Sequence, residues 1–190
     1  MDIEKIKKIN TKKIGKTIEY YEKIESTHLY AKKIANEENN GKVIIAGIQT
    51  GGIGTNGRKW NTESRGKNIL ISIILKPKCS VDMLNGLTID IANIIKDTIY
   101  KMYGYNLEIK KPNDLFLNGK KICGILTEVN TIAGKINYLI ISFGFNVNEE
   151  MFSKEIENIA TSLKKEYGKE FNIENIIINI IEQLDKKINF

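Results

Sequence analysis

The segment Gln49–Trp60 contains four glycines, two cations and the only tryptophan of a chain of 190 residues. Glycines let the backbone adopt positive φ and bring its N–H groups close to an anion. Arg58 and Lys59 add positive charge near the end of the segment. The segment therefore predicts a loop that binds a phosphate group, and a glycine-rich turn on the surface is the alternative.

The glycine spacing of this loop differs from that of the two common phosphate loops. The loop has no Gly-Lys-Ser or Gly-Lys-Thr ending, which a P-loop needs to contact the phosphates and Mg²⁺. Gly52, Gly54 and Gly57 have no acidic residue at the distance that would bind the ribose of a dinucleotide. The pattern indicates a different nucleotide chemistry.

The segment Lys110–Glu128 also carries polar residues in an ordered pattern. It reads as a turn, a short strand, the dipeptide Asn118 and Gly119, and a second strand. Asn-Gly between two such strands is a strong signal for a two-residue hairpin turn. Two further segments, Glu25–Lys32 and Ser142–Asn148, contain several short polar side chains.

Taken in order along the chain, these four segments resemble the catalytic domain of biotin–protein ligases. That family has patterns close to S-T-N, G-R-G-R-x-G-R-x-W, K-W-P-N-D followed by K-x-x-G-[IV]-L-x-E, and G-x-G-x-N-V-N. The resemblance is strongest over residues 18–165, and it implies that residues 1–190 form a single catalytic domain. It also implies an enzyme that uses ATP and Mg²⁺ to convert biotin to biotinyl-adenylate. Biotin then passes to a lysine of a biotin carboxyl carrier domain.

The resemblance implies roles for the residues at matching positions. Two anions, the biotin carboxylate and the α-phosphate, must meet, so the site needs cations. Lys121 matches the lysine that contacts both anions, and Lys121 and Arg58 are the predicted catalytic residues. The predicted biotin-binding residues are Ser26, Thr27, His28, Gln49, Gly52, Ile53, Gly54, Thr55, Lys121 and Gly124. The predicted ATP-binding residues are Arg58, Lys59, Trp60, Asn113, Lys121 and Asn146. Asp114 is a candidate Mg²⁺ contact, and ordinary turn chemistry is its alternative role.

Three of these residues have a structural alternative. Ser26 precedes a run with helical periodicity and can cap that helix. His28, the only histidine, stands where the family pattern has asparagine, and a neutral imidazole offers one donor and one acceptor, as an amide does. We expect no general-base role for it, and a cap, core or surface position is the alternative. Trp60 is predicted to be a lid over the ligand, with a core anchor as the alternative.

Two arginines of the family's glycine-rich pattern are replaced by Ile53 and Thr55. In the family, the second of those arginines helps to hold biotinyl-adenylate. A charge-assisted hydrogen bond contributes about 1.5–3 kcal/mol, so we expect this chain to release the adenylate more readily unless Arg58 or Lys59 compensates. Lys111 replaces the tryptophan of K-W-P-N-D and adds charge near the nucleotide.

Composition indicates one globular domain, since 42% of the residues are hydrophobic and 27% are charged. No apolar run approaches the roughly 18 residues that span a bilayer. The first residues do not have the pattern of a targeting peptide. Cys79 and Cys123 lack metal-ligand spacing. These features predict a cytosolic protein with reduced thiols and no membrane partner.

The formal net charge of +6 comes from lysines that are scattered along the chain. We therefore expect a solvated surface that attracts nucleotide phosphates and an acidic acceptor domain. A helix-turn-helix does not fit before Ile18, so no nucleic-acid partner is predicted. The family's small C-terminal β-barrel is not expected either. Pairing of sheet edges into a homodimer is left open.

Clustered strands with short connections predict an α+β fold with a mixed, largely antiparallel sheet and helices packed on it. The family resemblance implies the same fold, which is similar to the core of class II aminoacyl-tRNA synthetases. The predicted strands are 18–24, 43–49, 68–75, 107–110, 113–118, 121–129 and 136–146. The predicted helices are 27–38, 81–103, 150–165 and 173–188, with 81–103 on one face of the sheet.

Two other functions are weighed against biotin ligation. A lipoate or octanoate ligase of the same fold usually carries an arginine- and glycine-rich stretch and a histidine–aspartate pair, which we do not find in this sequence. A non-catalytic protein that binds biotin or a nucleotide is the other alternative. Lys121, Arg58, Asn113 and Asn146 argue against it.

Overall fold

Runs rich in isoleucine form the strands of a central sheet. The protein is described by a computed structural model for residues 1–188, except for the side chain of Asn56. The strands are β1 (Ile18–Tyr21), β2 (Val43–Ala46), β3 (Gly52–Ile53), β4 (Lys59–Trp60), β5 (Asn68–Leu75), β6 (Glu108–Lys110), β7 (Asp114–Leu117), β8 (Lys120–Ile132) and β9 (Lys135–Asn146). Seven of them form one sheet in the order β1-β2-β5-β9-β8-β7-β6, while β3 and β4 pair with each other. Among the strand pairs of the described residues, only β1 with β2 is parallel. The predicted mixed, largely antiparallel sheet and the α+β class are confirmed.

Helices cover both faces of the sheet. They are α1 (Ile3–Ile6), α2 (Thr27–Ile34), α3 (Leu87–Tyr103), α4 (Leu163–Tyr167) and α5 (Ile173–Lys187). Buried residues of α3 and α5, such as Ile95 and Ile180, belong to the main core on one face, as predicted for the helix at 81–103. On the other face, Ala31 of α2 packs against apolar residues of β2, β5 and β9. None of the helices in the described part of the chain is long and apolar enough to span a bilayer.

The predicted helix 150–165 is wrong over most of its length. Helix α4 starts only after Ser162, which caps it. Residues before it form separate turns over 153–160, and the end of this segment is held to β8, since Lys121 N–H donates to Ile159 O (2.8 Å) and Thr161 N–H donates to Lys121 O (2.9 Å). Backbone groups that bond to a strand are no longer available to close helical turns.

Two other predicted helices are shorter than expected. Gly86, with a φ of 84°, separates α3 from a short 3-10 turn at Val81–Leu84, so the predicted helix 81–103 is interrupted near its start. Helix α2 ends before the extended Ala35, short of the predicted end at residue 38. The predicted helix 173–188 is confirmed by α5. Helix α1 and the pairing of β3 with β4 were not predicted.

The predicted strands are present, with differences at their ends. β1 and β2 end before residues 24 and 49, and β8 continues past 129 to form a long hairpin with β9. Asn118 and Gly119 have φ values of 50° and 76°. Positive φ at both positions is what a type I′ turn needs, so the two-residue hairpin between β7 and β8 is confirmed.

Candidate active site

Two adjoining cavities open on the side of the sheet that α2 covers. The small cavity has a volume of about 100 Å³ and the large cavity a volume of about 700 Å³. The large cavity has the size of an ordinary small-molecule site. The residues that line both cavities are Arg58, Lys59, Trp60, Asn113 and Lys121. The glycine-rich loop therefore supplies much of the wall between them.

A β-bulge turns Lys121 toward these cavities. Between β7 and β8 the register shifts by one residue, which makes Ile122 an extra residue of β8. In a regular strand, residues three apart point to opposite faces of the sheet. The bulge places Lys121 on the same face as Gly124, while Ile122 and Cys123 are buried in the core on the other face.

Two groups hold the ammonium of Lys121 at the wall between the cavities. Its Nζ lies 2.8 Å from Oδ1 of Asp114 and 5.7 Å from the ring centre of Trp60. Oδ1 of Asp114 is buried and has no aligned hydrogen-bond donor among the described residues. The contact is therefore an ion pair by distance rather than a directed hydrogen bond, and the ammonium stays within reach of both cavities.

The indole of Trp60 lies against the paired glycines Gly124 and Gly144. A Cβ at Gly144 would lie 2.6 Å from Cζ2 of the indole, and a Cβ at Gly124 would lie 2.9 Å from Cζ3. Nε1 of Trp60 is buried and has no acceptor within the described residues. Trp60 also pairs with Gly52 through β3 and β4. The indole is thus part of the cavity wall, and its role as a lid stays a prediction.

Hydroxyl and amide groups meet in the floor of the small cavity. Thr27 donates to Oε1 of Gln49 through its backbone N–H (2.7 Å) and its hydroxyl (3.0 Å). The hydroxyl of Ser72 donates to Oγ1 of Thr27 (2.8 Å) and lies 2.7 Å from the hydroxyl of Ser142. The last contact follows from the sheet register, in which Ser72 faces Ser142 across β5 and β9.

His28 continues this series of contacts to a carboxylate. Its Nδ1 lies 2.8 Å from Oγ of Ser142, and its Nε2 lies 2.9 Å from Oε2 of Glu128. The other carboxylate oxygen of Glu128 lies 2.7 Å from Nζ of Lys32. We call the contacts from Glu128 through His28 and the hydroxyls to Gln49 the polar line.

The pKa values of the two titratable groups at this end of the polar line, His28 and Glu128, are both shifted from their ordinary values. His28 is only 2% exposed. Its burial lowers the pKa of the imidazole below the ordinary value, although the hydrogen bond and the charge of Glu128 act to raise it. Burial raises the pKa of Glu128, but the hydrogen bonds with Lys32 and His28 lower it more, so its net shift is downward. Glu128 is therefore an ionised acceptor at neutral pH.

The large cavity is lined by both cationic and apolar side chains. Lys110 and Lys111 line it together with Arg58 and Lys59. The apolar lining residues are Trp60, Pro112, Phe116, Phe152, Ile156, Ile159 and Ala160. Such a cavity suits a ligand that has an anionic end and a flat, weakly polar end, as a nucleotide does.

The two predicted asparagines of the nucleotide site bond to protein groups. Nδ2 of Asn113 donates to Ile125 O (2.9 Å) and lies 3.4 Å from Oγ1 of Thr55. Nδ2 of Asn146 donates to Thr161 O (3.1 Å). Both side chains line the large cavity, and their amide N–H groups hold its walls in place.

Comparison with known proteins identifies the family. A family model described as the biotin/lipoate A/B protein ligase family matches residues 20–146, which is more than half of the chain. The chain belongs to this family. The bifunctional ligase/repressor BirA of Bacillus subtilis (strain 168) is 31% identical over 182 residues, which cover 94% of this chain and 56% of that protein. The chain thus spans little more than half the length of this curated relative.

Solved structures of biotin protein ligases share the fold. The enzyme from Aquifex aeolicus in complex with biotin and ATP has a TM-score of 0.78 at 24% identity, covering 90% of this chain and 69% of that chain. The enzyme from Leishmania major in complex with biotinyl-5-AMP has a TM-score of 0.72 at 22% identity, covering 90% of this chain and 74% of that chain. The biotin ligase-like fold expected from the sequence is confirmed.

In this member of the biotin/lipoate ligase family, most of the predicted site residues lie together. Those that line the small cavity are Ser26, Thr27, His28, Gln49, Ile53, Gly54, Thr55, Arg58, Lys59, Trp60, Asn113, Lys121 and Gly124. Asp114 and Asn146 line the large cavity. Gly52 is absent from the lining of both cavities in the described structure, and a Cβ there would lie 2.5 Å from Trp60 O. Oγ of Ser26 accepts from Leu29 N–H (3.3 Å), so its role as a helix cap is confirmed.

Four polar residues of this family member's site were missed from the sequence. They are Lys32, Ser72, Glu128 and Ser142. A signal for Ser72 existed, because it is the one polar residue inside the apolar run that follows Asn68. Glu128 and Ser142 lie at the ends of two recognised motifs, but no local pattern assigned them to the site.

Proposed function

We propose that the chain converts biotin and ATP to biotinyl-adenylate and transfers the biotinyl group to a protein lysine, as a biotin–[acetyl-CoA-carboxylase] ligase does. One observation carries the proposal. The ammonium of Lys121 lies in the wall shared by a cavity with hydrogen-bonding groups and a cavity with cations and apolar surface. An acid bound in the small cavity and a nucleotide bound in the large one would meet at this ammonium. The complexes of the fold relatives with biotin and ATP and with biotinyl-5-AMP support the same assignment.

The floor of the small cavity favours an acid that carries a cyclic urea over other carboxylic acids. Thr27, Gln49 and Ser142 line it with hydroxyl and amide groups. Biotin has two ring N–H donors and a carbonyl acceptor that can bond to such groups. The dithiolane ring of lipoate and the alkyl chain of octanoate form none of these bonds, each of which contributes about 0.5–1.5 kcal/mol. Biotin is therefore the preferred acid in this proposal.

The indole of Trp60 must move before biotin can enter. The small cavity has a volume of about 100 Å³. Ordinary ligand sites have volumes of roughly 300–1,000 Å³. Trp60 lies in the wall of this cavity and is carried by a glycine-rich loop, which is costly to order. We propose that the loop opens for the ligand and closes over the adenylate, which would exclude water that hydrolyses it.

The first step joins the two anions. A carboxylate oxygen of biotin attacks the α-phosphorus, and the bond from that phosphorus to the bridging oxygen of pyrophosphate breaks. Lys121, with Arg58 and Lys59 beside it, stabilises the negative charge on the transferring phosphoryl group. In the second step, the amine of the acceptor lysine attacks the acyl carbon, AMP leaves with the bonding electrons, and the amine loses a proton.

Mg²⁺ is part of the proposal as the partner of ATP. The described residues contain no group of three or more His, Cys, Asp or Glu side chains that could hold a metal. Mg²⁺ at nucleotide sites is usually bound by one or two carboxylates together with phosphates and waters. Asp114 in the large cavity is one such carboxylate, and its Oδ1 lies 2.8 Å from Nζ of Lys121, so a metal would share this carboxylate with the ammonium. A cation there would neutralise phosphate charge.

The proposed acceptor is the biotin carboxyl carrier domain of a biotin-dependent carboxylase. The formal net charge of +6 would favour an acidic partner. The cytosolic location, the single catalytic domain over 1–190 and the absence of nucleic-acid and membrane partners stay predictions. A homodimer would pair edge strands of the sheet, which are β1 and β6.

Exchange of labelled pyrophosphate into ATP tests the first step without the acceptor. We expect exchange that requires biotin, is not supported by lipoate or octanoate, and falls by about 100-fold or more in Lys121→Ala. Lys120→Ala is the matched control, because Lys120 pairs with Leu117 of the core face, and its rate should stay within about twofold. Biotin binding without exchange would support the non-catalytic alternative. Exchange with lipoate alone would overturn the choice of biotin.

A further inference from the structure

The polar line begins and ends on an acceptor. Glu128 is a carboxylate, and at the other end Oε1 of Gln49 accepts the backbone N–H of Thr27, which fixes it as an oxygen. Five contacts of hydrogen-bond length connect the two ends: 2.9, 2.8, 2.7, 2.8 and 3.0 Å. Because both ends can only accept, each of the five contacts must receive its proton from the groups between the ends.

The number of protons in this line depends on His28. The hydroxyls of Thr27, Ser72 and Ser142 each supply one. A neutral imidazole supplies one more and leaves one of the five contacts without a proton, whereas an imidazolium supplies two and completes the line. The directions of the bonds agree. Thr27 donates to Gln49 and Ser72 donates to Thr27, so Ser142 must donate to Ser72, and Nδ1 of His28 must donate to Ser142.

The surroundings of His28 supply charge of both signs. Glu128 faces the imidazole from β8, and Lys32 faces the same carboxylate from α2, while β5 and β9 contribute the hydroxyls of Ser72 and Ser142. Burial lowers the pKa of His28 below its ordinary value, against the raising effect of Glu128. With a neutral imidazole the polar line lacks one proton, and its hydroxyls then have no single set of directions.

We propose that His28 is a positioning residue for the ring of the bound acid: protonated between Glu128 and Ser142, it completes the polar line and fixes the direction of all three hydroxyls. Ser142 and Thr27 line the small cavity, and each then keeps a free lone pair for an N–H group of a cyclic urea. His28 acts through Ser142, since both of its ring nitrogens are already engaged. The identity of the ring as that of biotin rests on the proposed function.

Protonation and biotin binding are then linked. A ligand that binds the completed line best raises the pKa of His28 above its value in the free protein. Affinity is therefore highest at low pH and falls as pH rises through the pKa of the complex. The expected fall is about three- to tenfold, which is the effect of one hydrogen bond between uncharged groups.

Nuclear magnetic resonance reads the protonation of His28 directly. The chain contains one histidine, so ¹⁵N-labelled histidine gives the ring signals of this residue alone. Spectra would be recorded with and without biotin between about pH 5 and 8. We expect both ring nitrogens to stay protonated to higher pH in the biotin complex. If biotin binds but leaves the pKa of His28 unchanged or lowers it, this inference is overturned while the proposed function stands.

Substitutions separate positioning from a purely structural role. His28→Asn supplies an amide N–H donor that does not titrate, so its biotin affinity, measured by calorimetry, should be nearly independent of pH. His28→Leu supplies no donor and should bind biotin about three- to tenfold more weakly at low pH. Glu128→Gln should move the fall in affinity to lower pH. A flat wild-type profile, or the same pH dependence in His28→Asn, would overturn the inference. Absence of biotin binding at every pH would overturn the proposed function as well.

Discussion

Gly124 and Gly144 face each other across β8 and β9, and the indole of Trp60 lies against both. A methyl group at Gly144 would lie 2.6 Å from Cζ2 of the indole. Gly144→Ala should therefore lower the free energy of unfolding by about 1–3 kcal/mol through overpacking. Urea unfolding measures this change. In a Trp60→Ala background the same substitution should cost much less, and an equal cost in both backgrounds would show that the indole is not the obstacle.

Thr55 lies in the wall of the small cavity, 3.4 Å from Nδ2 of Asn113. Thr55→Arg places a cation there, and dissociation of biotinyl-adenylate should slow by about 10–100-fold because of the added charge-assisted hydrogen bond. Release of labelled adenylate during a chase gives the rate. Thr50→Arg adds the same charge at an exposed position that is absent from the lining of both described cavities. Equal slowing by both variants would point to net charge instead of a contact.

Asp185 of α5 holds the segment before β1. Its carboxylate accepts backbone N–H bonds from Lys12, Lys13 and Ile14, each 2.7 Å long. Burial raises the pKa of Asp185, but these bonds lower it more, to a net value below the ordinary one. Because the folded-state pKa is the lower one, the carboxylate stabilises the fold above the unfolded-state pKa, and this stabilisation is lost as pH falls through the folded-state pKa.

Asp185→Asn should consequently lower the free energy of unfolding by about 1–3 kcal/mol at neutral pH. The difference from wild type should shrink in acid, as denaturant unfolding at several pH values would measure. Asp97→Asn is the control, since Asp97 makes only a half-exposed ion pair with Lys187 at 3.4 Å, and it should change stability by less than about 1 kcal/mol. A difference for Asp185→Asn that does not vary with pH would contradict the role of its ionised form.

Cys123 is fully buried, and burial raises the pKa of its thiol far above the ordinary value. The thiolate is the reactive form, so Cys123 should not react with a chromogenic disulfide in the folded protein. Cys79 is partly exposed and should react. We expect titration of one thiol in the native protein and of two after unfolding, and Cys79→Ser should abolish the native reaction. Rapid native reaction of Cys123 would show that β8 opens readily.

Local signals predicted those features that neighbouring residues decide. Asn118 and Gly119 specify a turn because both tolerate positive φ. Ser26 caps α2 because its side-chain oxygen accepts the backbone N–H of Leu29, three residues later. The glycine-rich loop and Lys121 were likewise found from short motifs, and the structure brings them to one pair of cavities.

Contacts between distant residues decided the features that the sequence did not predict. The partners of His28 are Ser142 and Glu128, 114 and 100 residues away along the chain. The predicted helix 150–165 is broken just before α4, where Ile159 and Thr161 bond to Lys121, far earlier in the sequence. The position of Trp60 depends on the register that aligns two glycines. Periodicity and capping carry no information about such pairings.

The turn at Asn118 and Gly119 determines which way the ammonium of Lys121 faces. With two residues in the turn, Leu117 pairs with Lys120. Because Leu115 pairs with Cys123, β8 has one residue more than β7 between these pairs, and Ile122 is that extra, bulged residue. A three-residue turn of the same sequence would pair Leu117 with Lys121, remove the mismatch and direct the ammonium into the isoleucine-rich interior. The hairpin tip, whose Gly119 lines the large cavity, thus decides on which face of the sheet the ammonium of Lys121 lies. Replacing Gly119, whose φ is 76°, with a residue that resists positive φ would therefore be expected to change the face on which Lys121 lies.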